Sequence, residues 1–388
     1  MRDRIVSERI GGGPVERYRY DPAVGLVLPA RVGVRGRFRW QTLDERGVPE
    51  IPRNPSGFAI GPIDGIEQPN LITDSGLNAM FTATTYAQSG GTIFGVGIGQ
   101  SGFEGDLFRN YLHVGTSSVA PDVSDTTLGA EAQRATSSSS FPNGIDPVYE
   151  YDSVDGVFRV TGTAYRVVQM TADRNLTEIG LGHLNSTAVN IRSLLLDDLG
   201  DPTTVSLLNG KFIRVDHTLV GEIPAPLAGV EAAFQILEYD AANVLVNTIN
   251  LTATYGPYAN GGGSSAVNSL LRFALNPRAL GGQTTIAKAP LRVPAATAYH
   301  PINAISPAAS TVGGMSFAQD AYATGSFERV FRSTYSAGLG NADWHGFVMG
   351  NGFPGLGHGG LFVSFDAPYT KVDTDSIQFA MKLTYGRA

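Results

Sequence analysis

Between residues 156 and 223 the chain reads "GVFRVTGTAYRVVQM", "NLTEIGL", "RSLLLDD" and "KFIRVDHTLVGEI", short segments rich in β-branched and aromatic side chains and separated by Asn, Gly, Asp and Pro. Short strands and turns satisfy that punctuation; long helices do not. Composition pushes the same way: 48 Gly and 22 Pro accompany only 16% charged residues, a balance that suits turns and sheets. The expected class is all-β, mainly antiparallel sandwich or meander domains. At 388 residues two or three domains are expected, each able to bury a core.

Charge and cysteine usage narrow the function. A formal net charge of -7 argues against a nucleic-acid surface, which needs a basic face. With no cysteine there are no disulfides, thiolate metal sites or cysteine nucleophiles, and folding is indifferent to the redox compartment. The start "MRDRIVSERIGGGPVERYRYDP" lacks the apolar stretch of a secretion signal, and no apolar run approaches the roughly 20 residues of a membrane span. A soluble chain with no membrane span and no nucleic-acid partner is expected.

Texture divides the sequence into three parts. Residues 1–30 read as an extended arm carrying Tyr18 and Tyr20; ordering it costs about 1 to 2 kcal/mol per residue, so a neighbouring subunit is expected to hold it, making the protein a homo-oligomer. Residues 31–225 read as a β-rich domain. It opens with Val32 and Val34 alternating with Arg31, Gly33 and Arg35, followed by a tight turn at Asp44 to Gly47 and a return strand. A single helix is expected near 74–87, with Asp74 as N-cap, Leu77, Met80, Phe81 and Thr84 on one face, and Gly90 and Gly91 as the stop.

The stretch "IPAP", residues 223–226, closes this domain, and 226–388 reads as a second sandwich-like domain. There, strands flank a turn at Asp240 to Asn243, and "GPYANGGGSS" reads as a flexible loop. Residues 288–310, with Pro290, Pro294, Pro301 and Pro307, read as an extended surface segment or a long loop. In the closing strand, Ile377, Phe379, Met381, Leu383 and Tyr385 alternate onto one face. A constant shift lays Arg166, Asn175, Gly180, Leu195, Pro202, Thr204 and Thr218 on Arg332, Asn341, Gly346, Leu361, Pro368, Thr370 and Thr384. A partial duplication of the first domain and coincidence among β-rich segments both account for that agreement.

Catalytic patterns are weak. "GLGHGG" has Gly355, Gly357 and Gly360 in dinucleotide-fingerprint spacing but lacks the βαβ context. Of the histidines at 113, 183, 217, 300, 345 and 358, only His345 and His358 form even a loose pair. Asp152 with Asp155, Asp197 with Asp198, and Asp373 with Asp375 lie in turns, where Asp is favoured for backbone reasons. Glycosidase chemistry would need two acids about 5 to 10 Å apart. No catalytic, cofactor or metal residue is assigned. Aromatics on the glycine-rich "NADWHGFVMGNGFPGLGHGG", namely Trp344, His345, Phe347 and Phe353, are candidates for stacking on sugars or partner proteins; the alternative is that Trp344 plugs the second core.

The segment "YLHVGTSSVAPDVSDTTLGAEAQRATSSSS", residues 111–140, starts as a strand and then turns to Pro, Asp, Ser and Thr. It reads as surface cladding: Pro121 restricts the backbone, Asp122, Ser124 and Asp125 satisfy local amides, and Leu128 alone drops into the core. Glu131 and Arg134 read as two solvated charges, with a pair within or between subunits as the alternative. The order "GRFRWQTLDERG", "NLITDSGLNAM", "YLHVGTSSVAPDVSDTTLGAEAQR", "FRVTGTAYRV", "NLTEIGL" and "LLLDD" resembles a module of tailed-bacteriophage virion proteins, the tail fibre and tail structural family, over about residues 31–225. The resemblance implies a non-enzymatic β-rich domain made in the host bacterial cytoplasm, built into the virion tail beside other tail proteins, and it carries over no catalytic residue. A ring, sleeve or sheath, or fibre-base component is expected. The alternative is a receptor-binding fibre or adhesin that recognises host surface glycan, although no heptad, collagen-like or solenoid shaft is visible.

Overall fold

The computed structural model describes residues 20–21, 25–50, 66–82, 111–135, 148–152, 157–182, 186–197, 199–224, 232–240, 244–260, 282–287, 311–312, 316–338, 341–351, 358–372, 374 and 376–387. Strands dominate them in antiparallel sheets, and Asp74–Thr82 is the single helix among the described residues. The all-β class is what forms. Among the described residues no helix is long and apolar enough to cross a membrane. The chain makes two compact units, one of Met1–Val32, Tyr151–Phe158 and Ile223–Tyr385, the other of Gly33–Glu150, Arg159–Glu222 and Gly386–Ala388.

In the second of these, the long strand Gly25–Leu43 contributes its half from Gly33 onward. That half pairs with Phe212–Pro224 on one side and with Ile66–Pro69 on the other. Strand Val157–Gln169 follows Phe212–Pro224. The period of two then separates the faces. Val34, Phe38 and Trp40 are buried with Ile213, Val215 and Leu219, whereas Arg37, Arg39, Arg214, Asp216 and Thr218 keep contact with solvent.

A five-stranded sheet in the same unit runs in the order Leu71–Ile72, Ile191–Leu194, Glu178–Gly182, Tyr111–Gly115, Glu131–Arg134. Gln68 sews the two sheets together from a buried position. Its Oε1 accepts from Trp40 Nε1 at 3.1 Å and from the Leu196 amide at 2.9 Å, and its Nε2 donates to Ser193 Oγ at 2.7 Å. A side-chain amide so placed satisfies polar groups that burial would otherwise leave costly.

The helix begins at the expected cap, Asp74, and the cap itself lies one residue earlier. Thr73, not Asp74, is the N-cap: its Oγ1 accepts from the Gly76 amide at 3.1 Å and its carbonyl from Leu77 at 3.0 Å. Asp74 occupies the first turn, where its carboxylate favours the positive helix end and accepts from Arg387 Nη2. Leu77, Met80 and Phe81 are buried as their spacing requires; Thr84, Gly90 and Gly91 lie outside the described residues. The turn at Asp44 also forms, its Oδ1 accepting from the amides of Arg46 at 2.8 Å and Val48 at 2.9 Å, with Gly47 at φ 77°, a conformation glycine adopts without steric cost. Of the expected return strand, the described residues show one bridge, Leu43 to Pro49; residues 51–65 lie outside the described residues.

In the other unit Ala232–Tyr239 and Leu245–Asn260 form a hairpin, closed where Asp240 Oδ1 accepts from the Val244 amide at 2.9 Å. Strand continues through "GPYAN" to Asn260, so the flexible loop expected there is strand up to that point; the glycines after it, and residues 288–310, lie outside the described residues. His358–Lys371, Ala342–Asn351 and Gly282–Ala287 extend the sheet from Leu245–Asn260. Ser376–Arg387 pairs with Ala232–Tyr239 and Glu328–Tyr335. Trp344 is fully buried between Tyr335 and Tyr369, with ring centroids 4.9 and 5.5 Å away. Truncation at Trp344 leaves a ring-sized cavity, so Trp344→Ala is expected to destabilise this unit by about 3 to 5 kcal/mol; urea unfolding followed by circular dichroism measures the loss.

Candidate functional site

The five-stranded sheet has one apolar and one polar face. Leu112, Val114, Ile179, Leu181 and Ile191 alternate onto the first and are all buried. Register places Glu178 opposite Gly115, and Gly180 between His113 and Arg192, on the second. This polar face is nonetheless removed from water: Glu178 and His113 have 0% exposure and Arg192 has 2%. The cover is the segment 116–130, which contains no strand or helix.

Glu178 is the centre of that cover. Its Oε1 accepts from the amides of Ser117 at 3.2 Å and Ala130 at 2.8 Å, and its Oε2 from the Gly129 amide at 3.1 Å. Arg192 adds Nε to the same Oε2 at 2.9 Å and Nη2 at 2.8 Å. The guanidinium then reaches outward, Nη1 to Asp125 Oδ2 at 2.5 Å and Nη2 to the Val119 carbonyl at 2.9 Å. One carboxylate and one guanidinium therefore grip the segment at five residues along its length. A buried ion pair is tolerated only when its remaining donors and acceptors are satisfied in this way.

Local chemistry completes the cover. Asp122 Oδ1 accepts from the Ser124 amide at 2.9 Å and Asp125 Oδ2 from the Asp122 amide at 2.7 Å. The hydrogen bonds from Ser124 hold the Asp122 carboxyl below its ordinary value of 3.8. Leu128 is buried, at 5% exposure, directly over Gly180. Gly115 is required by close approach, since a side chain there would collide with the Glu178 carboxylate and the Ala130 carbonyl.

Glu131 and Arg134, expected as separately solvated charges, instead pair at 3.3 Å. Glu131 Oε2 also meets His113 Nδ1 at 3.1 Å, while His113 Nε2 is buried with no protein partner. Burial pushes the His113 imidazole below its ordinary value of 6.5, against the pull of Glu131, and Arg134 lowers it further.

What this arrangement can do is hold a surface. Its charges are spent on backbone amides and on each other, and among the described residues no group of three His, Asp or Glu is placed to hold a metal ion. Of the interaction candidates, Tyr18 and Phe353 lie outside the described residues. Tyr20 sits in the two-residue strand Tyr20–Asp21 opposite Leu26. Trp344 is a core residue, and His345 is half-buried beside the bulge at Trp344 to Gly346. The structure does not gather these residues into a site among those described. Asp197 caps its turn, its Oδ1 accepting from Leu199 and Asp201 amides at 2.9 Å each, while Asp155, Asp198, Asp373 and Asp375 lie outside the described residues. The Glu178–Arg192 pair escaped the sequence reading. Its one signal was a glutamate in "NLTEIGL", in phase with Gly180 and Gly182 on a strand otherwise apolar. Compared with family models, curated proteins and solved structures, the chain matches none.

Removing one partner strands a buried charge. Glu178→Gln or Arg192→Met alone is expected to cost about 3 to 5 kcal/mol. The double variant Glu178→Gln/Arg192→Met should cost clearly less than the two singles combined, a coupling that a double-mutant cycle in urea reads directly. His113 supplies a pH test. Its folded pKa is depressed, so its contribution is complete above the unfolded value and is lost as pH falls through the folded one. The unfolding midpoint should therefore drop on acidification before the carboxylate range is reached, and His113→Gln should flatten that part of the profile.

Proposed function

We propose that the chain is a non-enzymatic structural protein of a bacteriophage virion, a tail-associated ring, sleeve or fibre-base component that assembles as a homo-oligomer. The observation that carries this reading is the clamped segment 116–130. An irregular stretch of surface is fixed from beneath by a buried carboxylate–guanidinium pair, which suits a surface that must keep one shape while neighbours pack on it. Loops that serve catalysis present reactive groups; here the charges that fix the segment, Glu178 and Arg192, are buried beneath it, and Asp122 on its outer side is spent on Ser124. The segment's outer side carries Val119 at 67% and Val123 at 39% exposure, apolar groups that a packed neighbour would cover. The resemblance of residues 31–225 to tail structural modules supports the same reading.

The test is assembly. Light scattering on the purified full chain should give a multiple of the chain mass, and Val119→Asp/Val123→Asp should shift it towards the single chain without altering circular dichroism. Virions labelled through the C-terminus should carry label on the tail by electron microscopy. A chain that stays monomeric at every concentration and is absent from particles would overturn the proposal.

A further inference from the structure

The outward face of the Gly25–Leu43 and Phe212–Pro224 strands carries a cleft of 640 Å³, framed by three guanidiniums, Arg37, Arg39 and Arg214, and two carboxylates, Glu67 and Asp216. That volume is within the range of small-ligand sites. Three positive against two negative groups leaves one positive charge, in a chain whose formal net charge is -7.

The polar groups are only partly used by one another. Glu67 is shared, its Oε1 accepting from Arg37 at 3.1 Å and its Oε2 from Arg39 at 3.4 Å; the hydrogen bond from Arg37 holds its carboxyl below the ordinary 4.5. Arg39 therefore makes one long bond with five donors available, and its side chain is 45% exposed. Arg214 rests on the Tyr165 ring, 4.1 Å from its centroid, and directs two nitrogens at Asp216 Oδ1, at 3.2 and 2.6 Å, leaving the second Asp216 oxygen open. Thr163 and Thr218 add a hydroxyl pair 3.0 Å apart.

We infer that this cleft binds an acidic saccharide, a sugar bearing a carboxylate, with Arg39 receiving the carboxylate and Asp216, Thr163 and Thr218 receiving ring hydroxyls. A cleft that offers unused donors and unused acceptors side by side needs a ligand that supplies both. Inorganic phosphate supplies acceptors for the arginines but brings its charge against Glu67 and Asp216. A peptide would gain most by adding to a sheet edge through its main chain. This cleft instead lies over the paired interior strands, whose backbone groups are already bonded to each other. The fork of Arg39 matches a carboxylate bidentately, and the sugar hydroxyls match the open acceptors. This inference is independent of the structural reading above: assembly can fail with the cleft still binding, and the reverse.

The test is calorimetric titration of the purified full chain with trigalacturonate, sialyllactose and a hyaluronan tetrasaccharide, each beside its neutral counterpart, and with a short polyglutamate and inorganic phosphate. At least one acidic saccharide should bind, its neutral counterpart at least tenfold more weakly, and raised salt should weaken the acidic one. Arg39→Gln should abolish that preference with an unchanged melting temperature, and Arg39→Lys should retain part of it. Binding of no acidic saccharide, equal binding by Arg39→Gln, tighter binding of polyglutamate, or tighter binding of phosphate would each overturn the inference. If Arg39→Gln does not fold, the acidic-to-neutral ratio and its salt dependence in the unaltered chain decide the matter.

Discussion

A carboxylate with no access to water is costly to bury unless several donors meet it, and Glu178 has five within 3.2 Å. Three are backbone amides of one irregular segment, and the other two belong to Arg192. The arrangement makes the ion pair and the segment mutually dependent. Without 116–130 over it the pair would be a half-satisfied buried charge; without the pair the segment would lose its hold at five residues and keep Leu128, its own Asp and Ser turns, and the carbonyls of Ser117, Val123 and Thr126 that accept from Thr177 Oγ1 and from the Asp74 and Val189 amides. The rest of the unit follows from this. Glycines at 115 and 180 make room on the polar face, and the apolar face is free to join the core.

Much of the framework was legible in the sequence because it rests on local rules. Alternating β-branched segments placed the strands, the spacing of Leu77, Met80 and Phe81 placed the helix, and the Asp44 to Gly47 turn was written in its residues. The cap slipped by one position because Thr73 and Asp74 are both competent caps, and only the backbone path into Asn190 chooses between them. The strand through "GPYAN" was hidden by its glycine and proline; its partner His358–Lys371 lies far along the chain.

The candidate surface was legible only in part. The local turns at Asp122, Ser124 and Asp125 could be read from the Pro, Asp and Ser content of the segment, and so could the burial of Leu128. The grip from beneath could not, because Glu178 and Arg192 are 14 residues apart and become partners only through the register of two strands, and Asp125 lies 67 residues from Arg192. The pairing of Glu131 with Arg134 is local and was open as an alternative, whereas the contact of Glu131 with His113 depends on the neighbouring strand. The outward arginines at 37, 39 and 214 form a cleft only once two distant strands lie in register.

Amide hydrogen exchange at Ser117, Gly129 and Ala130 tests the central claim, because these three donors are bonded to Glu178 although they lie in a segment without strand or helix. If the buried carboxylate clamps the segment, they exchange as slowly as the amides of the Glu178–Gly182 strand, through opening of the whole sheet. Exchange at the rate of an open loop, with the strand amides still protected, would contradict it.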